Sequence, residues 1–290
     1  MAPPAAPRAR PLLWVDVFTA TPLAGNGLAV VHDADDLADD VMQRFAHETG
    51  LSETTFVQAP ERAGADYRNR IFTVDRELPF AGHPSLGTAV AVAWSRGLAA
   101  ARFVQETHTG LQPVEVTLDG RDAHTAMTQE PAVFAAPIDP AAPLAALGLD
   151  GAAAHPELPV QAVSTGVRQL LVPVADEAAL TAAVPVPERV RAVLDSTEAL
   201  CLYVFAPRAP GEAEARSFFG TGHRIAEDPA TGSAAGPLCA YLARHQGTDA
   251  LVVSQGVAMG RRSRLEARLH GDRVRVGGAC VVIMEGSVWL

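Results

Sequence analysis

The sequence predicts an α+β protein of two similar halves, each a mixed sheet wrapped around one buried helix. Three observations predict it. The first is an internal repeat. His83-Pro84-Ser85-Leu86-Gly87-Thr88-Ala89 and Asp228-Pro229-Ala230-Thr231-Gly232-Ser233-Ala234 both read as a polar residue, Pro, two residues, Gly, a hydroxyl residue and Ala, 145 positions apart in a chain of 290. Ser52-Glu53 and Thr197-Glu198 repeat at 145, residues 25–31 and 166–172 at 141, and Arg70-Ile71-Phe72 and Arg216-Ser217-Phe218 at 146. Matches in one order at nearly one offset mark a duplicated unit. The second observation is that each copy leads into a helix of small apolar residues with almost no polar face, which buries such a helix on all sides. The third is the irregular mixture of strands and helices, which fits a sheet around a helix better than an open doubly wound sheet. Residues 1–130 form the first half and 131–278 the second.

Composition bounds what such a chain can do. At 290 residues, with 48% hydrophobic and 19% charged content, it has enough core for two domains of ordinary size. The net charge is −10 and no cluster of Arg marks a helical face, which excludes nucleic acid and anionic membranes as partners. Cys201, Cys239 and Cys280 are widely spaced in apolar settings. They read as buried thiols of a reducing compartment, the cytoplasm, with neither a disulfide framework nor a metal site. Residues 1–11 are rich in Pro and Ala, lack an apolar core like that of a secretory signal, and read as a mobile tail. No apolar run is long enough to span a membrane.

In chain order, residues 12–18 alternate as a first strand with Asp16 on its polar side, and 28–31 make a second after a glycine turn. Val41, Met42, Phe45 and Ala46 recur at helical spacing across 39–49, and Gly50 ends that helix. Glu53 follows where helix passes to strand. Residues 67–74 are a strand, 75–84 a loop, and 88–97 the first buried helix. Residues 103–106 and 113–118 are strands, and 131–159 connect the halves, with a short helix near Leu144. In the second half, 160–174 read as strand, turn, strand. Short helices follow at 177–183 and 187–194, and strands at 200–206 and 216–220. The second buried helix runs from Ser233 to about His245. Strands at 251–253, 263–269, 273–276 and 280–283 close the chain.

The two Gly-rich motifs and Glu53 could carry chemistry. Gly87-Thr88-Ala89 and Gly232-Ser233-Ala234 each place Gly and a hydroxyl residue at a helix start. Free amides and the helix dipole there suit a carboxylate, although the same residues also serve as plain caps on buried helices. Thr88, Gly232 and Ser233, with Gly82 in the turn before His83, are the candidate binding residues. Glu53, leading into Thr54-Thr55-Phe56-Val57, is the candidate base, because an apolar surrounding raises a carboxyl pKa; an ordinary strand-start Glu is the alternative. His83 could donate a proton or a hydrogen bond. Asp228, before Pro229, is a third catalytic candidate and also a common turn former. His47, Glu48, His108 and His124 show no metal-ligand spacing. Ser233 has no nucleophile elbow, and there is no Walker loop and no dinucleotide glycine motif. Lys is absent from the chain, which excludes Schiff-base pyridoxal chemistry. An acid/base enzyme without a cofactor survives these exclusions.

These stretches resemble the PhzF family of phenazine-biosynthesis-like isomerases. Those that carry the resemblance are Asp16-Val17-Phe18-Thr19, Ala24-Gly25-Asn26, Leu51-Ser52-Glu53-Thr54-Thr55-Phe56-Val57, Arg70-Ile71-Phe72-Thr73, Glu77-Leu78-Pro79-Phe80-Ala81-Gly82-His83-Pro84, Glu227-Asp228-Pro229-Ala230-Thr231-Gly232-Ser233-Ala234 and Gln255-Gly256. The resemblance implies a diaminopimelate-epimerase-like fold with its site in a cleft between two domains. It also implies a last strand (279–290) that returns to the first domain, and a homodimer. By position it makes Glu53 the residue that shuttles a proton between two substrate carbons, with His83, Asp228 and Ser233 orienting the substrate. Related epimerases use two cysteines, and none of the three here lies in the Gly-rich motifs. Gly27 departs from the family, where Pro is expected after Gly-Asn. The expected function is thus a cofactor-independent isomerase acting on a small carboxylated substrate. The alternatives are an amino-acid racemase or epimerase, and a non-catalytic binding protein of the same fold.

Overall fold

A computed structural model describes residues 7–221 and 224–290. Two compact units divide the chain. The first takes the chain up to Leu23, Gly27–Thr125 and Ala279–Leu290, and the second takes Ala24–Asn26 and Ala126–Gly278.

The chain runs β1 (Ala9–Val17), β2 (Asn26–Val31), α1 (Asp39–Thr49), β3 (Glu53–Gln58), β4 (Tyr67–Phe72), β5 (Glu77–Leu78), α2 (Gly82–Ser95), β6 (Ala100–Thr107), β7 (Gly110–Asp119) and β8 (Asp122–Thr128). Then follow β9 (Val133–Ile138), α3 (Ala141–Ala146), β10 (Val160–Ser164), β11 (Arg168–Pro173), α4 (Glu177–Ala182), α5 (Pro187–Thr197), β12 (Cys201–Pro207), β13 (Glu212–Thr221), β14 (Arg224–Asp228), α6 (Gly232–Gln246), β15 (Ala250–Gln255), β16 (Ser263–His270) and β17 (Arg273–Trp289). In the first unit β2 and β3 are parallel, β4 is antiparallel to β3 and β5 and parallel to β6, and β6 is antiparallel to β7. In the second, β11 to β16 repeat those pairings one for one. Each sheet encloses a helix. α2 is buried from Gly82 to Ala93 and packs against β1, β3, β4, β6 and β7; α6 packs against β10, β11, β15 and β16.

The structure confirms the repeat and changes its register. Both buried helices open at a glycine, Gly82 and Gly232, which lie 150 positions apart rather than 145. Upstream, Arg70 is bidentate to Glu77 and stacks over Phe72, and Arg216 is bidentate to Glu227 and stacks over Phe218. The equivalent stretches are therefore Glu77-Leu78-Pro79-Phe80-Ala81-Gly82 and Glu227-Asp228-Pro229-Ala230-Thr231-Gly232. His83 corresponds to Ser233, and Asp228 to Leu78.

The same shift moves the helix tip. Gly82-His83-Pro84 reads as turn chemistry, but Pro in a first helical turn lacks only an N–H that has no partner there. Ala81 is extended (φ −151°, ψ 147°), and α2 starts directly after it, with the Ser85 hydroxyl donating to the Ala81 carbonyl at 2.7 Å. Thr88 therefore lies in the second turn, not at the tip, and its hydroxyl meets that of Thr55 at 2.8 Å in the interior. Gly87 is a packing residue. A Cβ there would fall 2.6 Å from Leu28 Cδ2 and 2.8 Å from Val17 Cγ2, so its absence lets β1 and β2 close on the helix.

Glu198 is likewise not the counterpart of Glu53. Thr54 pairs with Phe72 and Leu202 with Phe218, which makes Cys201 the equivalent of Glu53 in the repeat. Glu198 is the left-handed cap of α5 (φ 53°) and is exposed. Four further expectations change. Residues 9–11 are not tail but the start of β1, with Ala9 opposite Trp289; residues 1–6 lie outside the described part. Asp16 is buried, and its carboxylate accepts the Leu23 amide at 2.7 Å. The connection 131–159 contains strand β9, paired with β10. The strands expected at 273–276 and 280–283 are one continuous β17. No helix among the described residues is long and apolar enough to cross a membrane.

Candidate active site

In the first unit the structure brings Glu53 and His83 together. α1 ends at Gly50 in the left-handed region (φ 63°), and the chain re-enters the sheet at Glu53, beside Leu28 of β2. His83 occupies the first turn of α2. Its Nε2 lies 3.5 Å from Glu53 Oε2, with the His83 side chain 5% and the Glu53 side chain 15% exposed. Burial pushes the imidazole down to about 3, so it is neutral at physiological pH. A carboxylate beside a neutral imidazole, mostly out of water, can accept a proton and return it.

This placement has a thermodynamic signature. The folded pKa of His83 is below the unfolded value of about 6.5. The unfolded chain thus takes up its proton first as pH falls, and the native state loses stability from pH 6.5 downward, toward the folded value. Urea unfolding of wild type at pH 7 and pH 5 is expected to show roughly 1–2 kcal/mol more loss than His83→Gln shows. Equal losses in the two proteins would mean that the imidazole titrates in the fold as it does in the unfolded chain, and a smaller loss in wild type that Glu53 holds it protonated.

In the second unit Asp228, Gly232 and Ser233 surround the start of α6. Asp228 ends β14, and its Oδ1 accepts Asn26 Nδ2 at 2.8 Å while Oδ2 accepts the Thr231 hydroxyl at 2.6 Å. Burial pushes its carboxyl up to about 6, against those two donors and the Ala230 amide, which pull it down. The segment 24–26 is held there by Arg261, which donates to the carbonyls of Gly25 (2.8 Å) and Ala24 (2.9 Å). Ser233 Oγ accepts Gln169 Nε2 at 3.1 Å, and Gln169 Oε1 in turn accepts the Cys201 thiol at 2.9 Å. The Ser233 hydroxyl thus keeps its own hydrogen for a further acceptor. Pro237 inside α6 cannot donate to the Ser233 carbonyl.

Sequence reasoning did not single out Asn26, Thr231, Gln169 and Gln255, which hydrogen-bond to Asp228 or Ser233. Asn26 and Gln255 stand in stretches that carry the family resemblance, but nothing local shows what their amides bind. The three thiols are all buried and pushed up to about 12, so none is a base near neutral pH. Among the described residues no group of three or more His, Cys, Asp or Glu is placed to hold a metal ion.

The profile of the phenazine biosynthesis-like protein family matches residues 15–286. The chain belongs to that family. A trans-2,3-dihydro-3-hydroxyanthranilate isomerase of Pseudomonas aeruginosa is 39% identical over 285 residues, covering 95% of this chain and 98% of the relative. Membership with such relatives makes the chain a PhzF-like isomerase. A PhzF family protein of Bacillus anthracis has the same fold, with a TM-score of 0.84 at 27% identity over 98% of this chain and 100% of the other. So does a protein of Pseudomonas aeruginosa described as a predicted epimerase, with a TM-score of 0.84 at 33% identity over 96% and 99%. The epimerase-like α+β fold expected from the PhzF motifs is thus the fold observed.

Proposed function

We propose that this PhzF-like isomerase moves a proton between two carbons of a small carboxylated substrate, with Glu53 as base and then acid and no cofactor. The observation that carries the reading is the Glu53–His83 pair, a mostly buried carboxylate 3.5 Å from an imidazole that burial keeps neutral. Glu53 takes the hydrogen from one carbon as its electron pair shifts into the conjugated system. It then returns a proton, exchanged with solvent while the carboxyl holds it, to another carbon, so no net proton is consumed. His83 places the carboxylate and stabilises the electron density that the substrate carries in between. The amides at Gly232 and Ser233, at the positive end of α6, suit the substrate carboxylate. Asp228 binds a second polar group.

The relatives' chemistry supplies the first substrate to try, trans-2,3-dihydro-3-hydroxyanthranilate, whose carboxylate and hydrogen-bearing ring carbons meet these requirements. The test is to incubate it with the protein in deuterated water and follow product by absorbance and deuterium by mass spectrometry. Consumption of substrate with deuterium on one product carbon is expected. An unconsumed, unlabelled substrate would refute the substrate assignment. The homodimer implied by the family resemblance is part of the same proposal, and sedimentation velocity checks it.

A further inference from the structure

Gln255-Gly256 is one of the stretches that link the chain to its family, yet proton transfer gives it no task. Gln255 is fully buried at the end of β15. Its Oε1 accepts the Thr231 amide at 3.2 Å and the Tyr203 hydroxyl at 2.8 Å. Its Nε2 donates to the Asp228 carbonyl at 2.7 Å and to Thr231 Oγ1 at 3.0 Å. Two of these four partners are main-chain groups. An amide N–H can only donate and a carbonyl can only accept, so they settle which way round the Gln255 amide sits.

That orientation propagates. Thr231 Oγ1 receives a hydrogen from Gln255, so its own hydrogen turns to Asp228 Oδ2, 2.6 Å away. Asn26 Nδ2, held also by the Ala230 carbonyl at 3.1 Å, donates to the other oxygen. Both oxygens of Asp228 therefore face donors. The titratable and charged groups around it do not change this. Cys201 and Tyr203 on β12 are raised by burial and stay neutral. Glu227 is paired with Arg216 at 2.8 Å, and Arg261 is bound to the Gly25 and Ala24 carbonyls.

We propose that Gln255 is a positioning residue that orients the Thr231 hydroxyl and so holds Asp228 as a hydrogen-bond acceptor, which makes the substrate group at Asp228 a donor, an amine or a hydroxyl. The substrate half of this statement rests on the proposed role of Asp228 in the isomerase reaction; the positioning half does not.

The test uses the full chain carrying 13C-carboxyl Asp, with the Asp228 signal assigned by its loss in Asp228→Asn and followed through a pH titration. Thr231→Val removes the donor without adding charge and is expected to raise the Asp228 midpoint by about one pH unit. Thr231→Ser keeps the hydroxyl and should keep the wild-type midpoint. Gln255→Glu, in which the Thr231 hydrogen turns to the new carboxylate, should raise the midpoint at least as far. In the Thr231→Val background Gln255→Glu should add less than half of that rise, because the route through Thr231 is gone. An unmoved midpoint in Thr231→Val, or a full additional rise in the double variant, overturns the positioning role. Turnover separates the other half. Gln255→Glu should lower kcat/KM at least tenfold, and Thr231→Ser should retain it. Unchanged turnover in Asp228→Asn removes Asp228 from the reaction and overturns the substrate half, while the titration still decides the role of Gln255.

Discussion

Replacing Glu53 by Gln is expected to lower kcat on trans-2,3-dihydro-3-hydroxyanthranilate by roughly 10³–10⁴-fold, the upper part of what a positioned general base contributes. Gln has the same shape and cannot take a proton. Glu53 opens β3 beside β2 with its side chain 15% exposed, and Gln has nearly the same volume, so the substitution opens no cavity. Affinity should survive, because a base that acts only in the transition state adds little to ground-state binding. Titration calorimetry with 3-hydroxyanthranilate, an aromatic analogue of that substrate, should give a Kd within about threefold of wild type. Retained turnover would transfer the proton to another group. Loss of turnover together with loss of binding would make Glu53 a binding residue.

The second large effect is expected at Gly256. Its φ is +71°, and an added Cβ would fall 2.4 Å from the Arg261 carbonyl oxygen and 2.7 Å from that of Pro229. Neither oxygen can retreat easily. The Arg261 amide closes the turn onto the Gly256 carbonyl at 3.0 Å, and the Ser263 hydroxyl holds the Pro229 carbonyl at 2.8 Å. Gly256→Ala should therefore combine left-handed strain with a backbone collision, at about 4 kcal/mol. In a thermal melt that is a fall in Tm of roughly 10 °C. Pro229 follows Asp228, so the same variant should displace the Asp228 turn. Gly27→Ala is the control: its Cβ would meet Trp14 Nε1 at 3.3 Å and Asp16 Oδ1 at 3.4 Å, where shifts of a few tenths of an ångström suffice. A melt of Gly256→Ala no lower than that of Gly27→Ala would show that the turn yields.

Much of the fold was legible from local pattern. The helix over 39–49 follows from its apolar spacing, its acidic first turn and Gly50 as its stop. The burial of α2 and α6 follows from helices with no polar face. Where the reading slipped, a local signal had two meanings. Gly-His-Pro marks a turn or a first helical turn, and only the extended Ala81 and the Ser85–Ala81 bond decide for the helix. The motif match at 145 aligned Gly87 with Gly232, since Gly followed by Thr or Ser looks the same whether the glycine starts a helix or packs inside one. Strand β5 has two residues, too few to show a period, and β14 five.

The candidate site divides along the same line. Sequence alone determined the family, the duplicated plan, the chemical kind of each motif residue and the exclusion of Schiff-base chemistry, because these depend on which residues occur in which order. Tertiary structure decided that Glu53 faces a neutral His83, that Cys201 occupies the position equivalent to Glu53, and that Gln255 reaches Thr231 across 24 residues of chain. Hydrogen-bond direction and burial belong to contacts between segments distant in sequence. The strand registers that create those contacts are set by the packing of each sheet around its helix, which no single stretch of residues encodes.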